Sequence, residues 1–112
     1  MTTPSRSDYR AFAQALRSRV LEGPGETNRV VRQAAAERAA GGPAMAAPYD
    51  DLARQIGESA GGVTDEQVAG VARATGREKA AFEVIVAAAV GAGFLRWRHG
   101  IKALDEAIDA PA

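Results

Sequence analysis

An all-α fold, a single-domain bundle of about five helices, is predicted by three observations. Apolar residues recur at three- and four-residue spacing along most of the chain, the period of a helix face. Glycine and proline clusters (GPG at 23–25, GGP at 41–43, GG at 61–62, a lone Gly76) cut that pattern into helix-sized pieces. Nowhere does the alternation of a half-buried strand or a two-residue hairpin turn occur.

The first helix is expected to start at Ser7-Asp8 and to repeat Tyr9, Phe12, Ala13, Leu16 and Val20 until GPG stops it. Thr27 or Asn28 caps the second. There Val30, Val31, Ala34 and Ala35 are expected inside, and Arg29, Arg32 and Glu37 in water. A third begins near Pro48 and puts Tyr49, Leu52 and Ile56 on one face; Gly61-Gly62 closes it. Thr64 opens a short fourth helix, because Thr64 and Gln67 have capping-box spacing and Val63 sits where a hydrophobic staple belongs. Val68 and Val71 give its buried side, and it ends at Thr75-Gly76.

The last helix runs from about Glu78 to Asp109. Within it residues 80–95 (AAFEVIVAAAVGAGFL) carry one charge, Glu83, and no Ser, Thr, Asn or Gln. Amphipathic surface helices have a polar face; this one is apolar almost all round and must be enclosed. At 1.5 Å per residue its full length is about 46 Å, against a radius of gyration of about 13 Å for a compact domain of this size. Either it bends near Gly91, Gly93 or Gly100, or its end reaches a neighbouring subunit. Each interior glycine costs about 1 kcal/mol relative to alanine, so another backbone is expected close by. Ala88, Gly91, Ala92 and Gly93 are therefore the expected subunit interface; the alternative is tight packing within one subunit. The domain spans 1–112, with flexible ends at 1–6 and 110–112.

Composition excludes several chemistries. There is no cysteine, so no thiol nucleophile, disulfide pair or thiolate metal site exists. The single histidine, His99, rules out a multi-histidine site in one subunit. Lys plus Arg and Asp plus Glu balance at 14 each, giving no field to attract nucleic acid or an anionic membrane. No apolar leader precedes the first helix, and 80–95 is too short and too flanked by charge for a membrane span. The expectation is a cytoplasmic protein that needs no cofactor and no metal.

Glu83 is the candidate catalytic residue. A carboxylate among apolar neighbours is desolvated, which raises its pKa toward general acid–base work; the structural alternative is an ion pair with Lys79 or with an Arg of another helix. Arg96, Trp97 and His99 are candidate ligand residues, since cations and an indole can hold an aromatic carboxylate. Their structural alternative is contact with solvent or with other helices' C-termini. The GAG at 91–93 is no dinucleotide fingerprint, having no preceding strand and no third glycine. A helix-turn-helix reading of Leu52, Ala53, Ile56, Gly57 and Val63 fits poorly. Gly61-Gly62 would break the recognition helix, and Asp65 and Glu66 would repel phosphate.

The stretch VTDEQV at 63–68, ATG at 74–76, AFEVIVAAAVGAG at 81–93 and Arg96 resembles the alkylhydroperoxidase-like, carboxymuconolactone-decarboxylase-like superfamily over about half the chain. The resemblance implies an all-helical subunit assembling through its long helix, usually as a trimer or hexamer, with a dimer also possible. The peroxidase branch needs a CxxC pair with a nearby histidine before the VTDEQV-like start, and here that helix reads APYDDLARQIG at 47–57. Disulfide-based peroxide reduction is thereby impossible. The expected function is a non-thiol oligomeric binding or accessory protein for an enzyme or small molecule. The alternative is a cofactor-independent lyase, decarboxylase or isomerase acting on a small anion, with Glu83 as acid or base.

Overall fold

A computed structural model of the chain describes residues 3 and 5–110. It has five α-helices, and the described residues include no strand: α1 (Arg6–Glu22), α2 (Arg29–Ala39), α3 (Tyr49–Ser59), α4 (Asp65–Thr75) and α5 (Glu78–Asp109), with one 3-10 turn (Ala60–Gly62) between α3 and α4. The all-α expectation holds. Of the expected flexible ends, residues 1, 2, 4, 111 and 112 lie outside the described set, while Arg6 is already helical.

Local chemistry sets the boundaries. The N-cap of α1 is Ser5, two residues earlier than expected, because Ser5 and Asp8 form a reciprocal capping box. Asn28 caps α2 by accepting from the Val30 amide. The predicted box at α4 is present, with Thr64 and Gln67 exchanging hydrogen bonds. Gly76 ends α4 in the left-handed region at φ 75°, where a side chain would be strained.

The long α5 touches every other helix, most extensively α2. The core is small-sided: Ala35, Ala36 and Ala39 of α2 and Leu52, Ala53 and Ile56 of α3 meet Ala81, Val84, Ala87, Ala88 and Ala92 of α5. Here the inward face of α2 differs from the expected one. Val30 is exposed, and the buried stripe is Arg32, Ala35, Ala36 and Ala39, at i, i+3, i+4 and i+7. Arg32, expected in water, is 4% exposed.

Helix α5 is uninterrupted; none of its glycines breaks it. Past Ala92 no residue in it is buried, yet it continues to Asp109. Helix α1 runs beside that second half, which also meets α3 where Arg96 donates to the Gly57 carbonyl. Arg6 pairs with Asp105 near the end of α5, and Glu26 and Thr27, just beyond α1, meet Glu83 near its start, so the two helices run antiparallel. This two-helix arm makes the subunit 54 Å long and raises its radius of gyration to 16.2 Å. One 18-residue window of α5 is long and apolar enough to cross a membrane by composition (mean hydropathy 1.5). In the subunit one side of that stretch is packed against α2 and α3.

Candidate functional site

Glu83 sits one helical turn beyond the start of α5, half-buried, facing the α1–α2 loop. One carboxylate oxygen accepts from the Thr27 amide (2.9 Å) and the Thr27 hydroxyl (2.7 Å); the other accepts from the Glu26 amide (2.9 Å). These amides precede the Asn28 cap of α2, where the positive end of the helix dipole also favours an anion. Gly25 lets the loop approach: a Cβ there would lie 2.6 Å from the Glu83 carboxylate.

Arg32 grips the same loop from the other side. It donates to the Val20 and Gly23 carbonyls, 2.7 Å each, and so satisfies the C-terminal end of α1. Its Nε is buried without a hydrogen-bond partner. An anion on the amides that enter α2 and a cation on the carbonyls that leave α1 thus hold the loop between them.

The electrostatics of Glu83 correct the sequence expectation. Burial does push its pKa up, but the Thr27 and Glu26 amides, the Thr27 hydroxyl and the Arg32 charge outweigh burial and hold it below its ordinary value. Glu83 is an anion at neutral pH and a weaker base than a free glutamate. Its partners are two backbone amides and the Thr27 hydroxyl, with Arg32 adding charge from a distance.

Beside Glu83 lies a depression of about 240 Å³ lined by Arg19, Pro24, Lys79, Phe82 and Val86 among others. It is open, and both Glu83 oxygens are already engaged with the chain itself. A wider groove of about 540 Å³ runs between α4 and α5, past Val68, Ala72, Phe82 and Ile85, with only Asp65 and Glu78 supplying charge.

The other candidates do not converge. Arg96 donates to the Gly57 carbonyl of α3 at 2.9 Å, a contact with the last turn of another helix. His99 is exposed. Trp97 points toward α1 and meets Phe94 edge-to-face, with ring centroids 5.9 Å apart. Successive helix positions lie about 100° apart, so Arg96 and His99 share one side and Trp97 occupies another.

Of the expected interface residues, three belong to the core. Ala88, Gly91 and Ala92 pack inside the subunit, and a Cβ on Gly91 would lie 2.1 Å from the Ala36 carbonyl oxygen. The backbone that needs a glycine at 91 is α2 of the same chain. Only Gly93 remains exposed, with nothing near its would-be Cβ.

The strongest surface feature is one that the Arg-Trp-Arg-His pattern obscured. Tyr9, Phe12 and Leu16 of α1 and Trp97, Leu104 and Ile108 of α5 are all exposed, Phe12 at 70% and Ile108 at 60%. A concavity of about 450 Å³ along this face is lined by Tyr9, Ala13, Leu16, Val90, Phe94 and Trp97 and contains no charged side chain. On the other side of the arm a groove of about 660 Å³ has Trp97 and Ile101 in its wall beside the charged Arg10, Arg98, Lys102 and Glu106. The three-four spacing of Tyr9, Phe12 and Leu16 was readable in the sequence; that no helix of the subunit covers it was not. Compared with known proteins, the chain matches no family model, no curated protein and no solved structure.

Proposed function

We propose that this chain is a non-thiol helical protein that self-associates and serves as a binding or accessory module, as its resemblance to the alkylhydroperoxidase-like superfamily implies. The observation that carries the reading is the uncharged face shared by α1 and α5. Soluble monomers rarely expose contiguous apolar patches larger than a few hundred Å². Tyr9, Leu16 and Trp97 line one uncharged concavity, and Phe12, Leu104 and Ile108 are exposed on the same two helices. Aromatic residues there are the type that dominates association energetics.

The enzyme alternative draws less support. A general base must be free to reach a substrate proton, and Glu83 accepts three hydrogen bonds from its own chain. With its pKa lowered it is a poor acid at neutral pH. Its environment suits holding the α1–α2 loop.

Native mass spectrometry of the unmodified chain at micromolar concentration tests the reading and reports any co-purifying small molecule. An assembly of two or more 11.6-kDa subunits is expected. A monomer carrying a small anion whose binding is lost in Glu83→Gln would overturn it in favour of the enzyme.

A further inference from the structure

We infer that the depression beside Glu83 is a binding site for a small organic oxyanion, a carboxylate or phosphoryl group carried on a single flat apolar ring. The inference goes beyond self-association, because this depression shares no lining residue with the concavity on the α1/α5 face.

The first argument is charge. Three cations, Arg19, Arg32 and Lys79, and one carboxylate, Glu83, line a space of about 240 Å³. Arg19 stands in the last turn of α1 and Lys79 in the first turn of α5. Among the described residues, neither Arg19 nor Lys79 takes part in an ion pair. Glu83 does not reach for them, since both of its oxygens accept from the α1–α2 loop. The nearby acid Glu26 pairs with Arg77 at 3.4 Å and is not part of the lining. The lining therefore keeps a net charge of two positive. A concavity lined by one sign of charge concentrates the opposite ion, more so where apolar walls focus the field.

The second argument is an unspent donor. Arg32 is 4% exposed, and its terminal nitrogens donate to the Val20 and Gly23 carbonyls. Its Nε has no acceptor, and among the described residues it is the only buried side-chain nitrogen or oxygen so left. Buried donors in native proteins nearly always have a partner. Arg32 forms part of the wall of this depression. An oxyanion seated against that wall is the acceptor the guanidinium lacks, and guanidinium geometry matches a carboxylate or a phosphoryl group.

The third argument is the rest of the wall. It is apolar, with Val20, Pro24, Phe82 and Val86. Phe82 is 63% exposed, so its ring is open to stack against, or meet edge-on, another flat ring. Sites for drug-sized ligands run from about 300 to 1,000 Å³. A depression of about 240 Å³ takes one ring with its head group and nothing larger.

Nitrogen-15 NMR titration of the full chain tests this with four probes. They are benzoate, phenyl phosphate, inorganic phosphate and benzamide, the uncharged counterpart of benzoate. At least one of the two ring-bearing anions should saturate with a Kd of about 1 mM or tighter; the tighter one names the head group. The shifted amides should fall within residues 19–27 and 79–86. Benzamide lacks the charge and inorganic phosphate lacks the ring, so each should bind at least about tenfold more weakly. Arg19 and Lys79 are exposed, so Arg19→Gln and Lys79→Gln leave the fold intact. Each should weaken binding about fivefold, the size of a partly exposed ion pair. Glu83→Gln should keep or tighten binding, because it removes the one negative charge of the lining.

No saturable binding of either anion, equal affinity for benzamide, or shifts confined to the arm would overturn the inference. So would binding that is lost in Glu83→Gln yet unchanged in the Arg19 and Lys79 variants, which would put the anion on Glu83 itself. Sedimentation of the same samples separates the two readings. An assembly that binds neither anion removes this site alone, and a monomer that binds one removes self-association alone.

Discussion

The body of the subunit and its arm use apolar residues in opposite ways. In the body, where α2 and α3 meet the first half of α5, the buried residues are mostly alanines, and Gly91 lets the α2 backbone come within contact distance. In the arm, where α1 accompanies the second half of α5, the large side chains Phe12, Leu16, Leu104 and Ile108 are exposed. Folded domains ordinarily bury their largest apolar groups first. The chain puts alanines in its core and leaves phenylalanine and isoleucine outside. The body is held by close backbone approach, and the arm leaves its large side chains in the open.

Gly91→Ala should break the body most severely. Its methyl would lie 2.1 Å from the Ala36 carbonyl oxygen, a backbone atom that moves only if α2 moves. A loss of about 3 kcal/mol is expected from overpacking, measured by urea unfolding; a loss below about 1 kcal/mol would mean that the α2–α5 contact is looser than described.

Glu83→Ala comes next. It leaves the Glu26 and Thr27 amides and the Thr27 hydroxyl without their acceptor, for a loss of about 2 kcal/mol. Glu83→Gln should recover part of this, since an amide oxygen still accepts. Proteolysis within the α1–α2 loop should rise in both variants. No change in loop protection would separate Glu83 from that loop.

The same contact predicts a pH dependence. The folded-state pKa of Glu83 lies below its ordinary value of 4.5. Its stabilisation is therefore complete above that value and is lost as the pH falls through the lower folded value. Asp50 acts in the same sense, held down by the Met45 amide and by Arg38. Unfolding free energy should fall as the pH drops below about 4.5, and in Glu83→Gln the fall should be shallower. Equal slopes in the two chains would place the acid sensitivity elsewhere.

Gly93→Ala should produce the smallest change, of the opposite sign to Gly91→Ala. With open space around its Cβ, alanine should stabilise the dilute subunit by about 0.5–1 kcal/mol through helix propensity. Destabilisation at low concentration would show that Gly93 is engaged within its own chain.

Local features of the fold were legible in the sequence because their causes are local. Thr64 with Gln67, the stop at Gly76 and the breaks at 23–25 and 61–62 act within a few residues, and the helices end where they direct. Features that depend on distant neighbours were not. Gly91 and Gly93 look alike in the sequence, yet two residues along a helix turn the side chain by about 200°: one faces α2 and the other faces water. Arg32 reads as a solvent residue by type, although its spacing with Ala35, Ala36 and Ala39 places it on the buried stripe. Glu83 reads as desolvated, but its hydrogen-bond donors lie 56 and 57 residues earlier, in a loop whose position no pattern discloses. Of the expected interface residues Ala88, Gly91, Ala92 and Gly93, the first three lie inside the subunit, and the association proposed above uses the arm instead.

Sedimentation velocity of the unmodified chain beside the double variant Phe12→Glu/Leu104→Glu tests the central claim most directly. Both positions are exposed in the subunit, so far-UV circular dichroism of the variant should match that of the parent. The parent should sediment as an assembly of two or more 11.6-kDa subunits, and the variant as one. If the two chains sediment alike, whether both as monomers or both as the same assembly, the α1/α5 face is not where this protein associates.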